Sequence, residues 1–468
     1  TLNCLQSAML KGVCAIDLYN YELTLDRPVA ALSEGYSVED LAVENVTWIP
    51  EVEIRNNWFA RYPTRGILIT TRGRSLIEGN TFYRSPMPAI LVSDDARGWY
   101  ESGPVADLTI RNNRFIECAS PVICITPEID RFNRPVHSNI VVEGNRFILT
   151  GLPAVKAVAT DGLHIEDNVF ENLDDMAMIM YNYKNCTITN NTITNCASGI
   201  EFKAMSSLPN NNFNPPVVKS MEEAVDGFDN DANSVISSNT ISVSGDDEYG
   251  ITSGIRLTGY EVKDNGVIPD YNFRVAGVKI VENRIESNGT TIALNDAENC
   301  SIESNILVTK QDGVNYKDKN GLTLNECDNI KITDNYISGS ARNGASLTDS
   351  SGNTLENNTI ENVGMNGINI YNGSENNIAS SNSVNSAKKH GIAVAANSSA
   401  VIKSNSISKA GDTGILIYNG SKGECSGNKV KNAVGHGIVF SKNASGKATS
   451  NTVSGAGKHG VLVTDHCG

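Results

Sequence analysis

The sequence predicts an all-β chain wound as a single right-handed parallel β-helix, and three observations predict it. First, a short motif of Asn, one residue and an apolar residue recurs at a nearly fixed interval: Asn335, Asn358, Asn382, Asn405, Asn428 and Asn451 open successive copies 23, 24, 23, 23 and 23 residues apart. A constant period marks one structural unit per copy, which buries its apolar face only against its neighbours. Second, apolar and polar residues alternate over very short runs, as in Gly391-Ile392-Ala393-Val394-Ala395 and Gly414-Ile415-Leu416-Ile417-Tyr418. Period two over four to six residues is the signature of strands. Third, three such runs separated by Gly, Asn and Ser corners fill one copy, which is one turn of a three-sided solenoid. The opening Asn falls at the same corner each time, where its amide can bond the turns above and below.

Taken in order, residues 1–42 stand outside the repeat. The run from Tyr19 to Val29 alternates like a strand and is expected to end an inserted β element whose first half lies upstream of Thr1. Turns begin at Val43, and residues 43–283 carry the motif as Asn57-Trp58-Phe59, Asn80-Thr81-Phe82, Asn113-Arg114-Phe115, Asn145-Arg146-Phe147 and Asn168-Val169-Phe170, so Phe gives these turns a fatter core corner. Their spacings are irregular, and extra residues in a solenoid leave the core as loops. Aligned on the strand that reads Gly-Ile-x-Ile, four insertions follow one corner: Asp94 to Pro104, Pro127 to Val136, Ala204 to Ala232 and Gly259 to Phe273. Stacked, they make a wall beside a flat sheet, hence a cleft, with Leu68, Thr70, Leu91, Ser93, Glu201 and Lys203 facing outward. Residues 284–468 form regular turns, and those after Asn335 are expected to act as a spacer or stem. The insertion from Lys310 to Asn320 sits elsewhere in its turn.

A net charge of −15 over 468 residues argues against nucleic acid or an anionic membrane surface as partner, and leaves a neutral glycan or a cation unopposed. No run of 18 apolar residues spans a membrane, and no signal peptide is visible. A start at Thr1 rather than Met suggests a piece of a longer polypeptide, whose upstream part is then a partner of this one. The ten Cys show no C-x-x-C pair, so most are expected to be buried apolar side chains in the core.

The densest polar and aromatic cluster on the wall runs Ser93-Asp94-Asp95-Ala96-Arg97-Gly98-Trp99-Tyr100-Glu101. Asp94, Asp95 and Glu101 supply carboxylates for acid and base work, and Trp99 and Tyr100 supply flat apolar faces for a sugar ring. A solvated acidic loop or a structural calcium site would use the same residues. Arg65 and Arg72 border the cleft as candidates for sugar hydroxyls, or as structural ion pairs. Asp174 and Asp175 read as a turn pair, and His390, His436 and His459 as a corner column interrupted by Thr413 rather than a metal site. The acidic run Glu222, Glu223, Asp226, Asp229 and Asp231 lacks the Gly-rich spacing of a calcium loop.

The segments Thr64 to Gly73, Ile77 to Phe82 and Asp94 to Gly103 resemble the bacterial exo-acting α-1,3-galactosidases of glycoside hydrolase family 110. That resemblance spans roughly residues 20 to 170. It implies a parallel β-helix enzyme that removes terminal α-1,3-linked galactose with inversion, needs no metal or other cofactor, and works outside the cell, at the bacterial surface or in the periplasm. On the residues that match, Asp94 and Asp95 correspond to the acidic pair, and Trp99, Tyr100 and Glu101 to the aromatic-acid segment. Stacking puts Thr71 and Pro127 at the corner positions before and after Asp94, so the second carboxyl comes from Asp95, Glu101, Glu128 or Asp130, or from upstream turns. Glu128 also counts as a substrate-binding candidate. Two other classes fit the same fold: a polysaccharide lyase or epimerase, which needs basic residues near a uronate, and a non-catalytic glycan-binding surface solenoid.

Overall fold

The computed structural model describes residues 8–28, 45–94, 103–119, 121–128, 135–148, 153–204, 233–245, 252–261, 272–310, 319–464 and 467. From Val52 onward the chain is a parallel β-helix with three faces. The first face is a 15-stranded sheet of three- to five-residue strands that follow the corner Asn, from Trp58–Ala60 to Thr452–Ser454. The second face starts at Ile67–Ile69 and the third at Val52–Arg55; continuous strands such as Val155–Glu166 carry the chain around the corner between them, so they join as one 29-stranded sheet.

Alternation places one apolar residue per strand inside. On the first face the rings of Phe59, Phe82, Phe115, Phe147 and Phe170 stack at 4.6–5.1 Å between centroids, after which Ile193, Ile241 and Ile285 take over the position. The fatter early corner is therefore present. At the corner itself each Asn bonds its neighbour: Asn358 accepts the backbone and side-chain N–H of Asn335 at 3.0 Å, and its own amide donates to Asn382 Oδ1 and the Ile332 carbonyl. The same pattern links Asn57 to Asn451, because a buried corner leaves backbone N–H and C=O groups that only a side-chain amide of this length can reach.

Entry to the second face in the later turns is by glycine. A Cβ on Gly391 would lie 2.3 Å from Ile407 and 2.6 Å from the Gly414 carbonyl. The inner corner between the second and third faces holds a serine ladder, Ser350, Ser374, Ser398 and Ser421, each accepting the backbone N–H of the turn before. His137 does the same work earlier. Its Nδ1 accepts the Val105 N–H at 3.1 Å, which fixes the neutral ring with its proton on Nε2, and burial pushes its pKa down to about 3.

The strand expected near Tyr19 exists as Tyr21–Leu25, and among the described residues it pairs with Leu10–Ala15 in an antiparallel hairpin. Lys11 and Gly12 interrupt the alternation of that first strand, which hid it. Cys118, Cys124, Cys186, Cys196, Cys300, Cys327 and Cys425 are buried free thiols, as the composition suggested. His436 and His459 stack at 5.2 Å in the corner column, and among the described residues no group of three or more His, Cys, Asp or Glu is arranged to hold a metal ion.

Candidate active site

The second face brings Ile67, Ile90, Ile123, Val155, Met178, Ile200 and Ile255 into one register, so the strands preceding the four insertions are stacked as expected. Ser93 closes its strand by donating from Oγ to the Thr126 carbonyl at 2.9 Å. Asp94 follows at the corner, level with Thr71 before it and Pro127 after it.

Asp94 is fully buried. Its Oδ1 accepts the backbone N–H of Glu128 at 3.1 Å, while its buried Oδ2 has no partner among the described residues. Burial raises its pKa to about 6, with the charge of Glu128 adding to the rise and the Glu128 N–H opposing it. A carboxyl held neutral in mildly acidic solution, with one oxygen uncommitted, is equipped to donate a proton.

Glu128 is exposed and sits one residue past Pro127, so its backbone holds Asp94 and its carboxylate stands beside it. Arg72 is half-buried and one residue past Thr71, on the rung preceding Asp94. Arg65 is exposed and lies just before Ile67–Ile69, at the opposite end of that strand from Thr71. Asp95, Trp99, Tyr100 and Glu101 lie outside the described residues, as do Asp130, the acidic run from Glu222 to Asp231 and most of each insertion. Asp174 and Asp175 stand at the opposite end of their strand from the Asp94 column, where the Asp175 carbonyl accepts the Ala197 N–H at 3.2 Å, a turn role.

Two outward positions of the second face, Ser93 and Glu201, are buried rather than open to the cleft. Glu201 points away from the core but is covered, locked to Arg256 by two bonds of 2.9 and 2.8 Å and receiving the Thr258 hydroxyl at 2.8 Å. Two outward cations went unnoticed in the sequence, Lys156 and Arg256. Lys156 was missed because its strand opens Ala154-Val155 without the Gly-Ile entry; the 23-residue step from Val155 to Met178 would have found it.

Comparison with known proteins supplies the rest. A 180-residue segment covering 37% of this chain is 50% identical to a protein of Bacteroides thetaiotaomicron, of which it covers 31%, and a segment covering 35% of the chain is 43% identical to one of Akkermansia muciniphila, covering 27% of it. Both relatives are named alpha-1,3-galactosidase A. The similarity is thus to α-1,3-galactosidases. This chain spans under a third of the length of those galactosidases. Residues 320–468 match the family described as right handed beta helix region, and residues 232–372 the one described as periplasmic copper-binding protein (NosD). Among solved structures, a mannuronan C-5 epimerase module of Azotobacter vinelandii aligns over 71% of this chain and 90% of its own at 12% identity and a TM-score of 0.39, too distant to bear on function.

Proposed function

We propose that this chain carries the acid half, and at least part of the base half, of a site that hydrolyses terminal α-linked galactose with inversion. The observation that carries the reading is Asp94: a buried carboxyl with a pKa raised to about 6 and one unpartnered oxygen, in a chain akin to α-1,3-galactosidases. Asp94 protonates the glycosidic oxygen as the bond from that oxygen to the anomeric carbon breaks. Water attacks the opposite face of the ring and gives its proton to a second carboxylate, drawn from Glu128, Asp95 or Glu101. Inversion needs the two carboxyl groups about 6.5–9.5 Å apart, which leaves room for that water. Trp99 and Tyr100 stack on the sugar, and Arg72, next to the acid's rung, binds hydroxyls. Arg65, at the other end of the Ile67–Ile69 strand, also fixes hydroxyls.

The products are β-galactose and a shortened glycan, and no cofactor is required; calcium would be structural. The match to a family described as periplasmic supports a location outside the cytoplasm. The test is hydrolysis of an α-1,3-galactosyl disaccharide by the wild-type protein and by Asp94→Asn. Turnover by the first and not the second is expected; equal turnover by both would refute the assignment of Asp94.

A further inference from the structure

Along the helix axis the outer side of the second face changes character. Leu68, Thr70, Leu91, Thr126 and Lys156 are partly exposed, with Ser93 and Cys124 buried among them. Beyond them the face is closed. Val158, Ile179 and Tyr181 are covered and pack with Val136, Ala159 and Met176 into an apolar cluster separate from the main core. Next comes the covered ion pair of Glu201 with Arg256. The rung that carries Asp94 lies on the open side, one rung from Leu68 and two from Lys156. Rungs are about 4.8 Å apart, close to the length of one pyranose, so the open floor has room for two or three sugars laid along the axis.

Lys156 stands at the boundary. It is half-buried, its Nζ lies 5.7 Å from the centre of the Tyr181 ring, and no carboxylate pairs with it among the described residues. Each outward Arg whose partners are seen has a carboxylate close by, as Arg256 has Glu201. An ammonium held against a buried ring at the end of an open floor presents N–H donors to whatever occupies that floor.

We propose that the site is one-ended, with a fixed polarity: the terminal galactose lies over Thr126 and Lys156, where Lys156 binds its hydroxyls, and the remainder of the glycan runs over Leu91 and Leu68 toward the first turns. The inference rests on the hydrolytic reading above. It adds a direction, because a chain of sugars cannot continue past the covered block, and an acid on the Leu91 rung then falls at the junction between the terminal sugar and the next. It also makes Lys156 a substrate-binding residue and Leu68 the floor of the leaving sugar.

Two substrates separate the two ends. α-Galactosyl fluoride places a sugar only in the terminal position, whereas an α-1,3-galactosyl disaccharide fills both. Lys156→Met is expected to lower kcat/KM about 30-fold on both, the scale of one lost charged hydrogen bond. Leu68→Trp is expected to lower it about tenfold or more on the disaccharide, by crowding the second sugar, and to leave the fluoride within about twofold. Thermal unfolding of both variants checks that neither loses its fold. The reverse pattern, with Leu68→Trp impairing both substrates and Lys156→Met only the disaccharide, would overturn the polarity, as would an unchanged Lys156→Met. If the wild-type protein turns over neither substrate, the hydrolytic reading itself falls, and calorimetry decides the polarity: Lys156→Met must weaken binding of both galactose and the disaccharide, Leu68→Trp of the disaccharide alone, and any other result overturns it.

Discussion

Asp94 owes its chemistry to a residue 34 positions further along the chain. The Glu128 N–H anchors one carboxylate oxygen, and the surrounding corner strips water from the other, so the proton is retained to about pH 6 rather than about pH 4. Because the folded value is the higher one, the neutral acid is present below pH 6 and lost above it. A bell-shaped profile of kcat/KM is therefore expected, with its alkaline limb near pH 6, measured on an α-1,3-galactosyl disaccharide, whose sugar leaving group needs the proton; an alkaline limb above pH 8 would rule out Asp94 as the acid. Asp94→Asn should lower kcat by about 10²–10⁴, the usual weight of a general acid, with no loss in thermal stability, since it removes a buried carboxyl whose ionised form is costly. The acidic pair was legible in the sequence as carboxylates beside aromatics. The burial of Asp94 was not, because burial is set by the register of the next turn. Lys156 was hidden for a related reason: its significance lies in Tyr181, one rung on, and no local motif joins them.

At the scale of elements, the corner ladders carry the specificity of the wind. Asn358 is fully buried, and replacing it by Ala orphans the Ile332 carbonyl and the Asn335 N–H; a loss of about 2–4 kcal/mol is expected in denaturant unfolding, given about 1–3 kcal/mol for each buried group left unpaired. At Asn451, which is only half-buried, the Cys425 carbonyl and Asn428 N–H left behind are nearer water, and the same change should cost about half as much. His137 makes a pH-dependent contribution. Its folded pKa of about 3 lies below the unfolded value of about 6.5, so its contribution is intact above pH 6.5 and is lost as the pH falls toward 3, at about 1.4 kcal/mol per unit. A urea series across pH 4–7 checks this, and His137→Gln, which keeps an acceptor for Val105, should flatten the slope. The Asn corners and the Phe stack were evident from spacing alone. The hairpin strand Leu10–Ala15 was not, because Lys11 and Gly12 break its period.

For the whole molecule, the solenoid makes stability nearly a sum over neighbouring turns, so a lesion in the regular turns is expected to leave chemistry at Asp94 unaffected. Gly391→Ala, which drives a Cβ into Ile407 and the Gly414 carbonyl, should lower the melting temperature while kcat at 25 °C stays the same. The period predicted this architecture because each turn repeats one solution to one packing problem. The insertions obey no period, so the sequence could say which corner they leave but not what they build over the floor. The measurement that tests the central claim most directly is proton NMR of an α-1,3-galactosyl disaccharide mixed with the protein, followed from the first minutes. The account predicts early appearance of the β-galactose anomer, before mutarotation. α-Galactose as the first product, or no galactose at all, would contradict it.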